Sequence, residues 1–143
     1  MPLLLLALLL AGVLHAEGQP QSQPVSVPGA TTVVIVRHAE KADASEDPVL
    51  SAAGQKRAEA LAAALDGAEV GAVYVSQFRR TRLTAGPLVG RLGLAAQARP
   101  VGDDVAASAR ELATEVLTRQ AGKTVLVVGH SNTVPVMVQA FSG

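Results

Sequence analysis

The chain has 143 residues, 49% of them hydrophobic and 17% charged, with a formal net charge of zero. These values fit one ordinary globular domain and give neither disorder nor a second domain any support. The balanced charge, and aromatics limited to Tyr74, Phe78 and Phe141, argue against nucleic acid as a partner, which calls for basic surface or base-stacking rings. The absence of cysteine excludes a disulfide framework, thiolate zinc sites and cysteine-nucleophile phosphatases.

Leu3 to Leu14 is an apolar run of twelve residues, too short for a spanning helix of about 20 and suited to the core of a signal peptide. Ala16 and Gly18 then occupy the −3 and −1 positions for cleavage before Gln19. Residues 1–18 are therefore expected to be a removed leader and the protein to be exported, periplasmic or extracellular. An uncleaved membrane anchor is the alternative; a cleaved leader leaves no stable membrane insertion. Residues 19–30 carry Pro20, Pro24 and Pro28 among Gln, Ser and Gly, the composition of an extended linker. The folded domain is expected over 31–143.

Thr32 to Val36 is a continuous β-branched run, the pattern of a strand buried on both faces. Ser51 is a candidate cap for a helix with Ala58, Leu61, Ala62 and Leu65 on one face. Gly71 to Ser76 reads as a second strand. Arg79 to Leu92 reads as a helix interrupted or bent at Pro87 and ended by Gly93. Asp103 or Asp104 starts another, with Val105, Ala109, Leu112, Val116 and Leu117 facing inward. Thr124 to Val128 is a third buried strand, and a last helix begins near Thr133-Val134-Pro135, where proline is tolerated. Alternating strands and helices predict an α/β fold with a largely parallel sheet and helices on both faces. Ligands of such sheets bind beyond the carboxyl ends of the strands.

His15 belongs to the expected leader, leaving His38 and His130. Both stand just beyond a predicted buried strand, where the ligand belongs. Arg37 precedes His38, and the second strand leads into Arg79, Arg80 and Arg82. Guanidinium forks match phosphate oxygens and stay charged. Three arginines within four residues cannot share one direction, so at most one or two face the crevice; a solvated helix face is the expectation for Arg79 and Arg82. Two imidazoles and two guanidiniums suit phosphoryl transfer: a neutral nitrogen attacks phosphorus while cations balance the oxygens. A metal held by the histidines with Glu40, Asp43 or Asp47 is the rival reading. The fixed charge of Arg37 beside His38 argues against it.

Arg37-His38-Ala39-Glu40-Lys41 resembles the Arg-His-Gly or Arg-His-Ala signature of the histidine phosphatase superfamily, phosphoglycerate-mutase-like branch. Leu50-Ser51-Ala52-Ala53-Gly54 is similar to that branch's helix start. The run from Ser76 to Ala85 is similar to its second-arginine segment, where the arginine four residues after the serine is Arg80. Val127-Val128-Gly129-His130-Ser131-Asn132 resembles its second-histidine motif. The four occur in family order across most of 31–143. The resemblance implies a three-layer α/β sandwich and a phosphatase acting through phosphohistidine. His38 would be the nucleophile, Arg37 and Arg80 the phosphoryl holders, and His130 would complete the pocket. It implies a small phosphorylated substrate, no metal and no organic cofactor.

Two departures from the family pattern stand out. No clear equivalent of the family's proton-donating glutamate is present; Asp104 is the first candidate, then Asp103 and Glu111, with capping as the alternative for both aspartates. Relatives usually continue into further strand where this sequence stops at Gly143, so a C-terminally short domain is part of the expectation. A mutase would need longer insertions. A protein phosphohistidine phosphatase and a non-catalytic phosphate-binding module on the same fold are the alternative functions. The natural substrate and the oligomeric state carry no sequence signature.

Overall fold

The computed structural model describes residues 29–143; the expected leader and nearly all of the linker lie outside the described residues. Eight elements follow in order: β1 (Thr32–Arg37), α1 (Ala52–Ala64), β2 (Val70–Val75), α2 (Arg79–Leu92), β3 (Gln97–Ala98), α3 (Val105–Arg119), β4 (Thr124–Gly129) and α4 (Val134–Ser142). Every strand pairing is parallel, in the order β1-β4-β2-β3. The three predicted strands are present, and a two-residue fourth strand, β3, joins them. That element is too short to show any hydrophobic period.

Side-chain alternation divides the core into two layers. Val73 and Val75 of β2 and Leu126 and Val128 of β4 pack with Ala62 of α1 and Ala85 and Leu88 of α2. On the opposite face Ala72, Tyr74, Val125 and Val127 meet Ala109 and Val116 of α3 and Met137 of α4. The expected three-layer α/β sandwich results. β4 runs centrally and is almost wholly buried, whereas β1 is at the edge of the sheet and only half-buried. The β-branched pattern of β1 marks two covered faces but carries no information on strand order, so its expected full burial is corrected.

Local signals explain most boundaries. Ser51 caps α1 by accepting from the Gly54 N–H at 3.0 Å, and Asp104, rather than Asp103, caps α3 by accepting from the Ala107 N–H at 2.9 Å. Gly93 ends α2 in the left-handed conformation, φ 64°. α2 runs unbroken through Pro87, which removes the interrupted alternative and leaves a cost of one missing ladder hydrogen bond. One expectation fails here. Leu117 is exposed, because Ala109, Ala113 and Val116 already form the inward stripe of α3 and Leu117 lies a further 100° around it.

Candidate active site

Strand register places the histidines. Arg37 pairs with Gly129 across β1 and β4, so the next residue of each strand, His38 and His130, leaves the sheet side by side at its carboxyl edge. Their ring centroids are 5.3 Å apart, and the His38 N–H donates to the Gly129 carbonyl at 2.9 Å. Ser76 follows β2 at the same edge and is buried. Two glycines allow this closeness. A methyl group on Gly54 would overlap the Glu40 carbonyl, and one on Gly129 would overlap Met137 and Thr133. The first brings the His38 loop onto α1 and the second seats the turn after β4.

Hydrogen bonds assign the tautomers. His38 Nδ1 lies 2.7 Å from the Ala39 carbonyl, which only accepts, so Nδ1 carries the proton and the Nε2 lone pair is free. The opposite holds at His130. Its Nδ1 is 3.4 Å from the Arg80 guanidinium, which only donates, so Nδ1 accepts and Nε2–H donates to Ser76 Oγ at 2.8 Å. Ser76 Oγ then donates to Thr81 Oγ1 at 3.1 Å, and Thr81 donates to the Phe78 carbonyl at 2.8 Å. Thr133 Oγ1 accepts from the His130 N–H at 2.8 Å, and Thr84 Oγ1 accepts from the Ala39 N–H at 2.9 Å while donating to the Arg80 carbonyl. Ser76 orients the His130 ring directly, Thr81 orients Ser76, and Thr133 and Thr84 hold the backbone at His130 and beside His38.

Burial pushes the imidazoles towards neutrality. His130 is lowered to about 4, first by desolvation and then by Arg80, His38 and Arg37. His38 is lowered mainly by desolvation, opposed by its bond to the Ala39 carbonyl and reinforced by Arg80, Arg37 and Lys41. A neutral His38 with a free Nε2 is the nucleophilic form.

The arginines separate as expected. Arg80 is the inward one: its guanidinium lies 4.2 Å above the Phe78 ring and against His130, and its buried Nε has no partner. Arg37 is exposed at the mouth and carries no ion pair among the described residues. Arg79 and Arg82 are exposed. The cleft before His38 has a volume of about 490 Å³ and is lined by Arg37, Lys41 and Arg57 with Glu40 and Asp43.

The candidate proton donors fare differently. Asp104 is committed to its cap, and Glu111 lines a surface groove on α3 with Arg110, Thr114 and Glu115. Neither they nor Asp103 line the His38 cleft. Of the acids considered for a metal, Glu40 is paired with Arg57, Asp43 accepts from the Ser45 N–H, and Asp47 accepts from the Arg79 N–H. No group of three or more metal-ligating side chains occurs among the described residues. Sequence reasoning missed Ser76, Thr81, Thr84 and Thr133 as orienting groups; three of them lie in the motif segment from Ser76 to Ala85, where only the arginine was given a role.

A parallel α/β sheet with paired neutral imidazoles and an inward guanidinium at its carboxyl edge defines a phosphate-handling class of protein. The histidine phosphatase superfamily (branch 1) matches residues 33–101. The protein histidine phosphatase SixA, solved with tungstate, is 30% identical with TM-score 0.61, the match covering 74% of this chain and 73% of that one. The chain belongs to the histidine phosphatase superfamily and has the fold and family of a phosphatase. A mycobacterial glucosyl-3-phosphoglycerate phosphatase shares the fold at 20% identity, TM-score 0.65, covering 74% and 76% of the two chains. Phosphoserine phosphatase from Entamoeba histolytica does so at 14% identity, TM-score 0.63, covering 77% and 79%. Curated protein sequences contain no match.

Proposed function

We propose that the protein hydrolyses phosphomonoesters through a phosphohistidine on His38, without a metal. The observation that carries this reading is the opposed pair of tautomers, which frees Nε2 of His38 while turning Nδ1 of His130 and the Arg80 guanidinium towards one another. A phosphoryl group bound beside His38 takes its charge balance from Arg37 and Arg80. Nε2 attacks phosphorus in line, the ester oxygen departs, and a water later cleaves the N–P bond to release phosphate. The orphaned Nε of Arg80 supplies a donor that a phosphoryl oxygen would satisfy. Negative charge arriving there opposes the positive neighbours that lower His130, so phosphate binding is expected to draw a proton onto His130 Nδ1.

The likeness to a protein histidine phosphatase supports a second reading, in which the leaving group is a phosphorylated imidazole. Glu40, which lines the cleft, is held below the usual carboxylate range by its hydrogen bond to Arg57. Leaving groups that depart without a strong acid therefore fit the site best. The test compares wild type with His38→Ala on an aryl phosphate, an alkyl phosphate and a phosphohistidine peptide. Aryl ester and phosphohistidine are expected to turn over faster than alkyl ester, with all three lost in the variant. Inorganic phosphate binding with no turnover of any substrate would leave the non-catalytic phosphate-binding module as the function. Export belongs to the same proposal, resting on the apolar run Leu3 to Leu14; the N-terminal sequence of the mature protein checks it.

A further inference from the structure

We propose that Asp47, in the loop between β1 and α1, is a positioning residue for the phosphoryl-binding Arg80; this rests on the reading of Arg80 given above. The loop is a small hairpin. Lys41 bridges Leu50 in antiparallel fashion, and the Ala42 N–H donates to the Val49 carbonyl at 2.9 Å. Its tip folds over the start of α2, where the residue at the cap position, Phe78, has no side-chain oxygen to offer. Asp47 replaces it from 32 residues away, its Oδ1 accepting from the Arg79 N–H at 2.9 Å.

The same oxygen lies 3.8 Å from Arg80 Nη1, which also donates to the Glu46 carbonyl at 3.3 Å. Arg80 is thus held on three sides: by the loop through Nη1, by His130 through Nη2 and by the Phe78 ring on its face. Its side chain is only 14% exposed, against 39% for Asp47. Solvent screens the carboxylate, so its part is geometric: it ties the loop, the helix start and the guanidinium into one unit. A flexible side chain held in the right orientation spares the entropy of ordering it when the phosphoryl group arrives.

A simple helix cap would serve stability alone, and a double-mutant cycle separates the two roles. Asp47→Ala, Arg80→Lys and the double variant are compared for kcat/KM on an aryl phosphate and for affinity towards orthovanadate, with Tm measured on each. Asp47→Ala is expected to lose about tenfold in kcat/KM and in vanadate affinity, and to lose little further in the Arg80→Lys background. Asp47→Asn, which keeps an oxygen for the Arg79 N–H, is expected to retain the wild-type Tm and to lose less activity than the alanine. Equal losses in both backgrounds, or a lowered Tm with unchanged kinetics, would reduce Asp47 to a cap and overturn the proposal. Wild-type protein that neither turns over the ester nor binds vanadate would instead overturn the phosphatase reading, and this one with it.

Discussion

At the residue scale the site depends on which imidazole nitrogen is free. Ser76 decides this at His130, and Ser76→Ala leaves a buried Nε2–H without its acceptor. The expected result is a loss of roughly tenfold or more in kcat/KM, on the order of the 1–3 kcal/mol that an unsatisfied buried group costs, read from steady-state kinetics with His130 mobility followed by imidazole NMR. His130 also shapes the acid limb of stability. It titrates near 6.5 in the unfolded chain and at about 4 when folded, so between these values the unfolded state binds more protons. Stability therefore falls as pH drops from about 6.5 to about 4, by something on the order of 1–3 kcal/mol. Urea unfolding across that range checks it: His130→Asn is expected to flatten the slope, leaving the smaller part due to His38, which is shifted in the same direction. Both histidines were legible in the sequence because strand ends assign them places, and Arg80 through the resemblance of the segment from Ser76 to Ala85 to the family's second-arginine segment. Ser76, Thr84 and Asp47 were not, since they act across 32 or more residues of chain, which no short pattern encodes; Thr81 and Thr133 bond locally and carry no signal that separates them from ordinary turn and helix-start threonines.

At the element scale, close approach matters more than composition. Gly54→Ala puts a methyl group where the Glu40 carbonyl sits, so either α1 or the loop carrying His38 must shift. A destabilisation of about 1–3 kcal/mol, typical of overpacking, is expected together with a loss of activity, read from denaturant midpoints and turnover on the aryl phosphate. Ser51→Ala serves as the control: it removes only the cap of α1, and about 1 kcal/mol of stability, without intruding on the loop. The helices were readable from their caps and apolar spacing, down to Ser51 and Gly93. β3 was not, having two residues and no period. What places β3 is tertiary: the Arg99 N–H donates to the Val75 carbonyl, and the Arg99 side chain forms a two-armed pair with Glu115 of α3, itself bonded to the Tyr74 hydroxyl.

At the scale of the whole molecule, the sheet order brings the groups of the candidate site together. β4 lies between β1 and β2, so residues about 90 positions apart in the chain become neighbours at one edge, and in a protein of zero net charge Arg37 and Arg80 come to act on the same two imidazoles. Alternation predicted a parallel sheet, but not its order, and so not that β1 would stand at the edge. The central claim is covalent: phosphorus is transferred to Nε2 of His38. Rapid alkaline quench after mixing with radiolabelled aryl phosphate tests it most directly. The predicted result is label on the peptide containing His38, stable in base, lost in acid and absent from His38→Ala. Label that withstands acid, or that persists in His38→Ala, would contradict the account.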